Sequence, residues 1–259
     1  MRPSIDVFSA PYHLVQTRRV EVMRRRIQAV NQTVAPGWIV PVPEDLPIGR
    51  GRRLEAVIMF LDISGFTHRP SETAQEQDQQ VRILSLFFSE MIRIVGDFGG
   101  TVEKNTGDGI MAYFGRPRAA APDTRQRALV CALYMFLAAE RLINPVILAS
   151  GLEPLQFRIC LDFGSITVAR LGAAQRFNHI VAVGTAANRT SKMLAHAEPG
   201  DLLVGDAMLE GLPAKWLETH LSHTGKESGW VYNDGTAYHF WKYVGRWTPP
   251  PRQALFQAR

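Results

Sequence analysis

Cysteine is scarce in this chain: 259 residues contain two, Cys131 and Cys160. A disulfide framework is thereby excluded as the source of stability. Both cysteines lie inside apolar patterns, LVCALYMF and FRICLDFG, which read as buried thiols of a reducing, cytoplasmic compartment. No uninterrupted apolar run approaches the roughly 20 residues that a bilayer-spanning helix needs. The N-terminus carries Asp6 and lacks an apolar h-region, so no secretory signal is expected. Acidic residues are outnumbered, 24 against 29 lysines and arginines, leaving a net charge of +5. A basic surface suits an anionic partner, and much of the excess lies in Arg18, Arg19, Arg24, Arg25 and Arg26. What remains is enough apolar residue, 46%, for one substantial core.

Three regions are expected. Residues 1–53 form an arm: Val20, Met23, Ile27 and Val30 recur at helical spacing between the arginines, predicting a basic amphipathic helix over 15–30, followed by a proline-rich extended connection. Residues 54–246 form the main domain, and 247–259 a tail. Within the domain, Leu54 to Asp62 is a continuous apolar strand, buried on both faces. A helix over 75–98 follows, with Val81, Leu84, Phe88, Met91, Ile92 and Val95 as its inward stripe. Two short strands flank Gly107-Asp108-Gly109, a hairpin signal. A second helix covers 124–142, and a strand covers 155–163. Gly164 is expected to break that strand and return 165–171 as its hairpin partner. Residues 181–184 lead into a helix over 185–197. The strand 202–204 and aromatic-rich closing strands over 229–244 complete the domain. The order β-α-β-β-α-β is a ferredoxin-like α+β arrangement.

The chemistry gathers at two places. The run AVIMFLDISGFT ends an apolar strand in Asp62, and EKNTGDGIMAYF sets Asp108 between glycines. Two carboxylates at neighbouring strand ends can hold divalent metals, Mg²⁺ or Mn²⁺ rather than zinc, with the Ile63 carbonyl as a further oxygen ligand. Gly65, Phe66 and Thr67 form a loop whose N–H groups can approach a phosphate. Asn188 and Lys192, four apart on a helix, share a face that can hold a ribose and neutralise a polyphosphate, with Arg176 and Arg189 in reserve. Strand alternation sets Lys104, Thr106 and Asp108 on one face. His179 is a group able to titrate near neutrality.

Taken together and in order, FLDISGFT, EKNTGDGIMAYF, LDFGSITVARLG and FNHIVAVGTAANRTSKML make residues 54–206 resemble the catalytic domain of class III nucleotidyl cyclases. The resemblance implies a homodimer with two sites at the subunit interface. It implies that Asp62, Asp108 and the Ile63 carbonyl hold two metals on one subunit. Asn188 orients the ribose, Lys192 stands where the family has a transition-state arginine, and Lys104 reads the base, all from the other subunit. It also implies that position 181 pairs with the base, and there this chain departs from purine cyclases: Val181 neither donates nor accepts. Lysine only donates, so an adenine amino group beside Lys104 and Val181 would be left unpaired, at roughly 1–3 kcal/mol. Uracil, with two carbonyl acceptors, fits better; cytosine needs an acceptor for its amino group, for which His179 is the candidate. The chain therefore looks like the stand-alone pyrimidine cyclases of bacterial antiphage (Pycsar) defence, with UTP preferred and cUMP the product. CTP, an adenylate cyclase with a degenerate pocket, and a non-catalytic nucleotide-binding domain are the alternatives. RNA binding is disfavoured because the central strands carry acids and aliphatics instead of exposed aromatics.

Overall fold

The computed structural model describes residues 34–36, 46–105, 107–115, 123–173 and 177–247. The helix expected over 15–30 and the tail after Trp247 lie outside them. The described residues form one nine-stranded mixed sheet with helices on both faces, an α+β architecture as expected. The strand order is β3 (Thr101–Asn105), β4 (Gly109–Gly115), β2 (Gly51–Ile63), β5 (Phe157–Ala173), β7 (Leu202–Gly205), β9 (Phe240–Tyr243) and β8 (Leu221–His223), with β1 (Val34–Pro36) paired to β2 and β6 (Phe177–Val183) to β5.

Strand β2 (Gly51–Ile63) is the centre of this sheet. Its continuous apolar run follows from burial on both faces. Val57, Met59, Leu61 and Ile63 enter the larger core, and Leu54, Ala56 and Ile58 enter a second core on the opposite face. The strand starts at Gly51, before the expected boundary, because the three-residue β1 (Val34–Pro36) runs parallel to its first residues. Helix α1 (Ala74–Asp97) begins with a capping box between Thr73 and Glu76. Its buried stripe is Ile83, Phe87, Met91 and Ile94, joined by Phe88 and Val95. The expected stripe was therefore rotated: Val81 and Ile92 point outward, since an apolar-rich helix offers two overlapping 3.6-residue registers and the sheet selects one.

Strands β3 (Thr101–Asn105) and β4 (Gly109–Gly115) form the expected hairpin, tightened by Gly107 at φ +93°. Helix α2 (Thr124–Ala138) is capped by Asp123, whose carboxylate accepts from the Arg125 N–H at 2.8 Å. It runs on through a π-helical turn (Ala139–Ile143) into α3 (Asn144–Ala149). This stretch, Thr124–Ala149, is long and apolar enough to cross a membrane by composition alone. Here it packs on the sheet, with Leu129, Cys131, Ala132 and Met135 fully buried.

Strand β5 (Phe157–Ala173) corrects the expected hairpin at Gly164. It passes through Gly164 without interruption and pairs with β2 over thirteen residue pairs; its hairpin partner is β6 (Phe177–Val183). The glycine serves packing. A Cβ there would sit 3.2 Å from the Ala186 methyl group of helix α4 (Thr185–Met193), which lies across the strand at this point. Helix α4 is shorter than expected and ends in a 3-10 turn, Leu194–His196. Beyond it come β7 (Leu202–Gly205), α5 (Ala214–His220), β8 (Leu221–His223) and β9 (Phe240–Tyr243). Of the closing strands expected over 229–244, only β9 joins the sheet; residues 229–238 make a separate small hairpin through the Val231–Ala237 bridge.

Candidate active site

The two acids lie at adjoining strand ends. Asp62, the penultimate residue of β2, lies opposite Gly109 on β4. The Ile63 N–H donates to the Asp108 carbonyl at 2.9 Å, which ties the turn holding Asp108 to the end of β2. Asp108 sits in that turn, outside both strands. The β3–β4 register also shifts between Val102 and Lys104, so period-two alternation does not link Asp108 to Lys104. Both acids are half-buried.

On its other side Asp62 lies opposite Arg158 of β5. The Arg158 guanidinium donates to Asp62 Oδ2 from Nε at 3.0 Å and from Nη2 at 2.8 Å, and its Nη1 donates to the Ala197 carbonyl at 2.9 Å. Sequence reasoning passed over this arginine. The available signal was a lone cation opening the apolar run FRICL, where the antiparallel neighbour of an acid belongs. Asp62 Oδ1 and the Asp108 carboxylate accept no hydrogen bond among the described residues. These are hard, solvent-reached oxygens on one rigid edge, a donor set that fits magnesium or manganese. Two acids within the described residues are too few for a three-ligand cluster of His, Cys, Asp or Glu side chains, and none is found. The remaining ligands would come from the Ile63 carbonyl, a bound anion and water.

The loop after Asp62 turns at Gly65, φ +68°, into a single 3-10 turn, Phe66–His68. Only glycine adopts that angle without strain. First-turn N–H groups have no partner within a helix; those of Phe66 and Thr67 open this turn, which follows Asp62 in the chain. The Ser64 hydroxyl is buried there without a partner.

Asn188 and Lys192 both lie exposed on α4. Among the described residues no hydrogen bond or ion pair joins them to Asp62 or Asp108 within one chain. The helix is anchored through Arg189, between them. Arg189 Nε donates to Asp162 Oδ2 at 2.6 Å, and Asp162 is fully buried in β5. The Phe163 N–H and the Tyr238 hydroxyl also donate to that carboxylate. Burial drives the Asp162 pKa up, opposed by the Arg189 guanidinium and these hydrogen bonds. Burial, reinforced by the Asp162 charge, drives the Tyr238 hydroxyl well above its ordinary range. The sequence held Arg189 in reserve as a phosphate cation; here it is committed to Asp162.

Val181 lies on β6, half-buried. Its neighbours Ile180 and Ala182 turn into the second core, while Val183 is exposed. Alternation therefore directs Val181 away from the core. The Ala182 N–H is held by the Glu103 carboxylate at 2.9 Å, fixing this strand against β3. Lys104 on β3 and His179 on β6 are placed by backbone register, opposite Met111 and Leu171; their side chains lie outside the described residues.

Residues 51–228 match the family model for the adenylate and guanylate cyclase catalytic domain. An adenylate cyclase of Mycobacterium tuberculosis is 31% identical over 169 residues, covering 65% of this chain and 36% of that protein. The chain thus spans about a third of the length of such relatives. Among solved structures, the guanylyl cyclase Cya2 superposes with a TM-score of 0.62 at 24% identity, covering 78% of this chain and 97% of the other. The adenylyl cyclase CyaB from P. aeruginosa gives 0.60 at 22% identity, covering 76% and 97%.

Proposed function

This chain belongs to the adenylate and guanylate cyclase catalytic-domain family, and from that premise we propose that it cyclises a nucleoside triphosphate, with UTP preferred, to the 3′,5′-cyclic monophosphate and pyrophosphate. The observation that carries the reading is the juxtaposition of Asp62 and Asp108 at one sheet edge, tied by the bond from Ile63 N–H to the Asp108 carbonyl.

In this reading Asp62, Asp108 and the Ile63 carbonyl hold two divalent ions, magnesium or manganese. Such ions, when bound, supply an acidified ribose 3′-hydroxyl and a neutralised triphosphate. The N–H groups after Gly65 take phosphate oxygens. Arg158 adds a positive charge at the same edge, where an incoming triphosphate gathers negative charge. Asn188 orients the ribose, and Lys192 meets the charge that develops on the α-phosphate. Lys192 keeps the charge of an arginine and gives up its fixed two-pronged geometry. Exposure of Asn188 and Lys192 on a face remote in bonding from the acids suits a homodimer, in which each pair completes the partner's site.

Preference for a pyrimidine rests on Val181. An aliphatic side chain directed out of the core leaves an exocyclic amino group without an acceptor, and uracil has none to satisfy. Lys104 would donate to its carbonyl groups, and His179 would matter for CTP. By the same resemblance the product, cUMP, would serve as a second messenger in antiphage defence. The purine reading keeps a specific observation in its favour, the similarity to a protein named adenylate cyclase. The deciding experiment is product chromatography with each of the four triphosphates and Mn²⁺. Fastest turnover of UTP supports the proposal, fastest turnover of ATP favours the purine reading, and no cyclic product overturns cyclase activity.

A further inference from the structure

Two cation–aromatic contacts lie in register along α4. The Arg189 guanidinium carbon sits 3.9 Å from the Tyr238 ring centroid, and the Lys192 ammonium sits 5.1 Å from that of Trp230. Residues three apart on a helix are about 5–6 Å apart, and directly opposed residues of a hairpin are separated by about 4.5–5.5 Å. Trp230 and Tyr238 are such a pair: the Tyr238 N–H donates to the Trp230 carbonyl at 2.8 Å, beside the Val231–Ala237 bridge. The two spacings match, so one hairpin face lies against one helix face.

The hairpin is fixed at its inner end. Tyr238 reaches the same buried Asp162 that grips Arg189, and the Ser228 hydroxyl accepts from the Trp230 N–H at 3.1 Å and donates to the Tyr238 carbonyl. Tyr238 is buried, Trp230 half-buried and Lys192 exposed. The indole thus stands on a rigid base and presents its face to a cation on a flexible four-carbon stem.

We propose that Trp230 is a positioning residue for Lys192, its indole face supplying the direction that an ammonium group lacks. The inference rests on the reading above, in which Lys192 stabilises the transition state. A lysine roams among many rotamers; an aromatic face restricts it to one region of space and leaves its N–H groups free for phosphate. The hairpin that ends in Trp230 therefore belongs to the active site although it carries no ligand, and Asp162 is the clamp that sets its distance from α4.

The test uses the full chain in four forms: Trp230→Ala, Trp230→Phe, Lys192→Ala and the Trp230→Ala/Lys192→Ala double variant. For the best triphosphate with Mn²⁺, Trp230→Ala is expected to lower kcat about three- to thirtyfold with KM within about twofold. Trp230→Phe, which keeps a ring face, should recover most of the loss. The double variant should be no slower than Lys192→Ala alone, because Trp230 acts through Lys192. An unchanged or raised kcat in Trp230→Ala, or a loss that adds in full to that of Lys192→Ala, overturns the inference. If Lys192→Ala loses turnover and Trp230→Ala does not, this inference fails and the functional reading stands; if Lys192→Ala turns over normally, the role of Lys192 in that reading fails, and with it the kinetic part of the inference. A readout free of turnover accompanies the kinetics. After reductive ¹³C-methylation, the Lys192 resonance, identified by its loss in Lys192→Ala, should be ring-current shifted upfield and should relax in Trp230→Ala. An unshifted resonance overturns the contact itself.

Discussion

Arg158→Met should bind Mn²⁺ more tightly than the unaltered chain when no nucleotide is present. The substitution removes a guanidinium that holds Asp62 Oδ2 by two hydrogen bonds, at 3.0 and 2.8 Å, while keeping an aliphatic stem against β2. At an effective dielectric constant of about 20, unit charges this close attract by roughly 6 kcal/mol before desolvation and screening. The two side chains are 29% and 22% exposed, so water reaches both, and the net value falls to about 1 kcal/mol. A divalent ion that takes Asp62 must displace this contact or share the carboxylate with it. Removing the competitor is thus expected to lower the Mn²⁺ dissociation constant about fivefold. The same change withdraws a cation from the triphosphate, so KM for the nucleotide should rise. Titration by electron paramagnetic resonance reads the first effect, and initial rates at saturating Mn²⁺ read the second. Mn²⁺ affinity that is unchanged or weaker would refute the reasoning, because Arg158 would then not compete for the carboxylate.

Asp108→Ala should lower turnover at least about a thousandfold while leaving the melting temperature nearly unchanged, since the side chain is half-exposed in a turn and accepts no hydrogen bond among the described residues; chromatography and a thermal melt check both halves. Val181→Asp restores an acceptor at the base position and should raise the ATP-to-UTP ratio of kcat/KM by about tenfold or more, the worth of one satisfied polar group. Asp162→Asn is expected to cost about 3 kcal/mol in urea unfolding, because it leaves Arg189, 14% exposed, without its counter-charge. Gly164→Ala should destabilise by about 1 kcal/mol, the new methyl group pressing on Ala186 at 3.2 Å.

Much of the candidate site was legible because strand-end acids next to glycines are a local pattern. Asp62 and Asp108 each announce themselves within a dozen residues, and the hairpin between β3 and β4 brings the second to the first. The failures came where tertiary packing decides among locally equal options. Gly164 has the composition of a break, yet it is a gap that admits α4, and nothing in its own strand reveals the helix above it. Val81 and Ile92 fit one helical register as well as Ile83 and Phe87 fit another; only the sheet chooses. Arg158 and Trp230 lie far along the chain from the groups they touch, the arginine 96 residues from Asp62. No spacing rule reaches across such separations, and each is found through register or through a shared buried group.

The thirteen-pair seam between β2 and β5 has a temporal consequence. Asp62 meets Asp108 by closing a segment of fewer than fifty residues, whereas Arg158 joins them only when a segment about twice as long has closed. During synthesis both acids leave the ribosome before Arg158 does. One strand, β5, both covers this edge of β2 and brings Asp62 its cationic partner, so the two gains are tied to the same pairing.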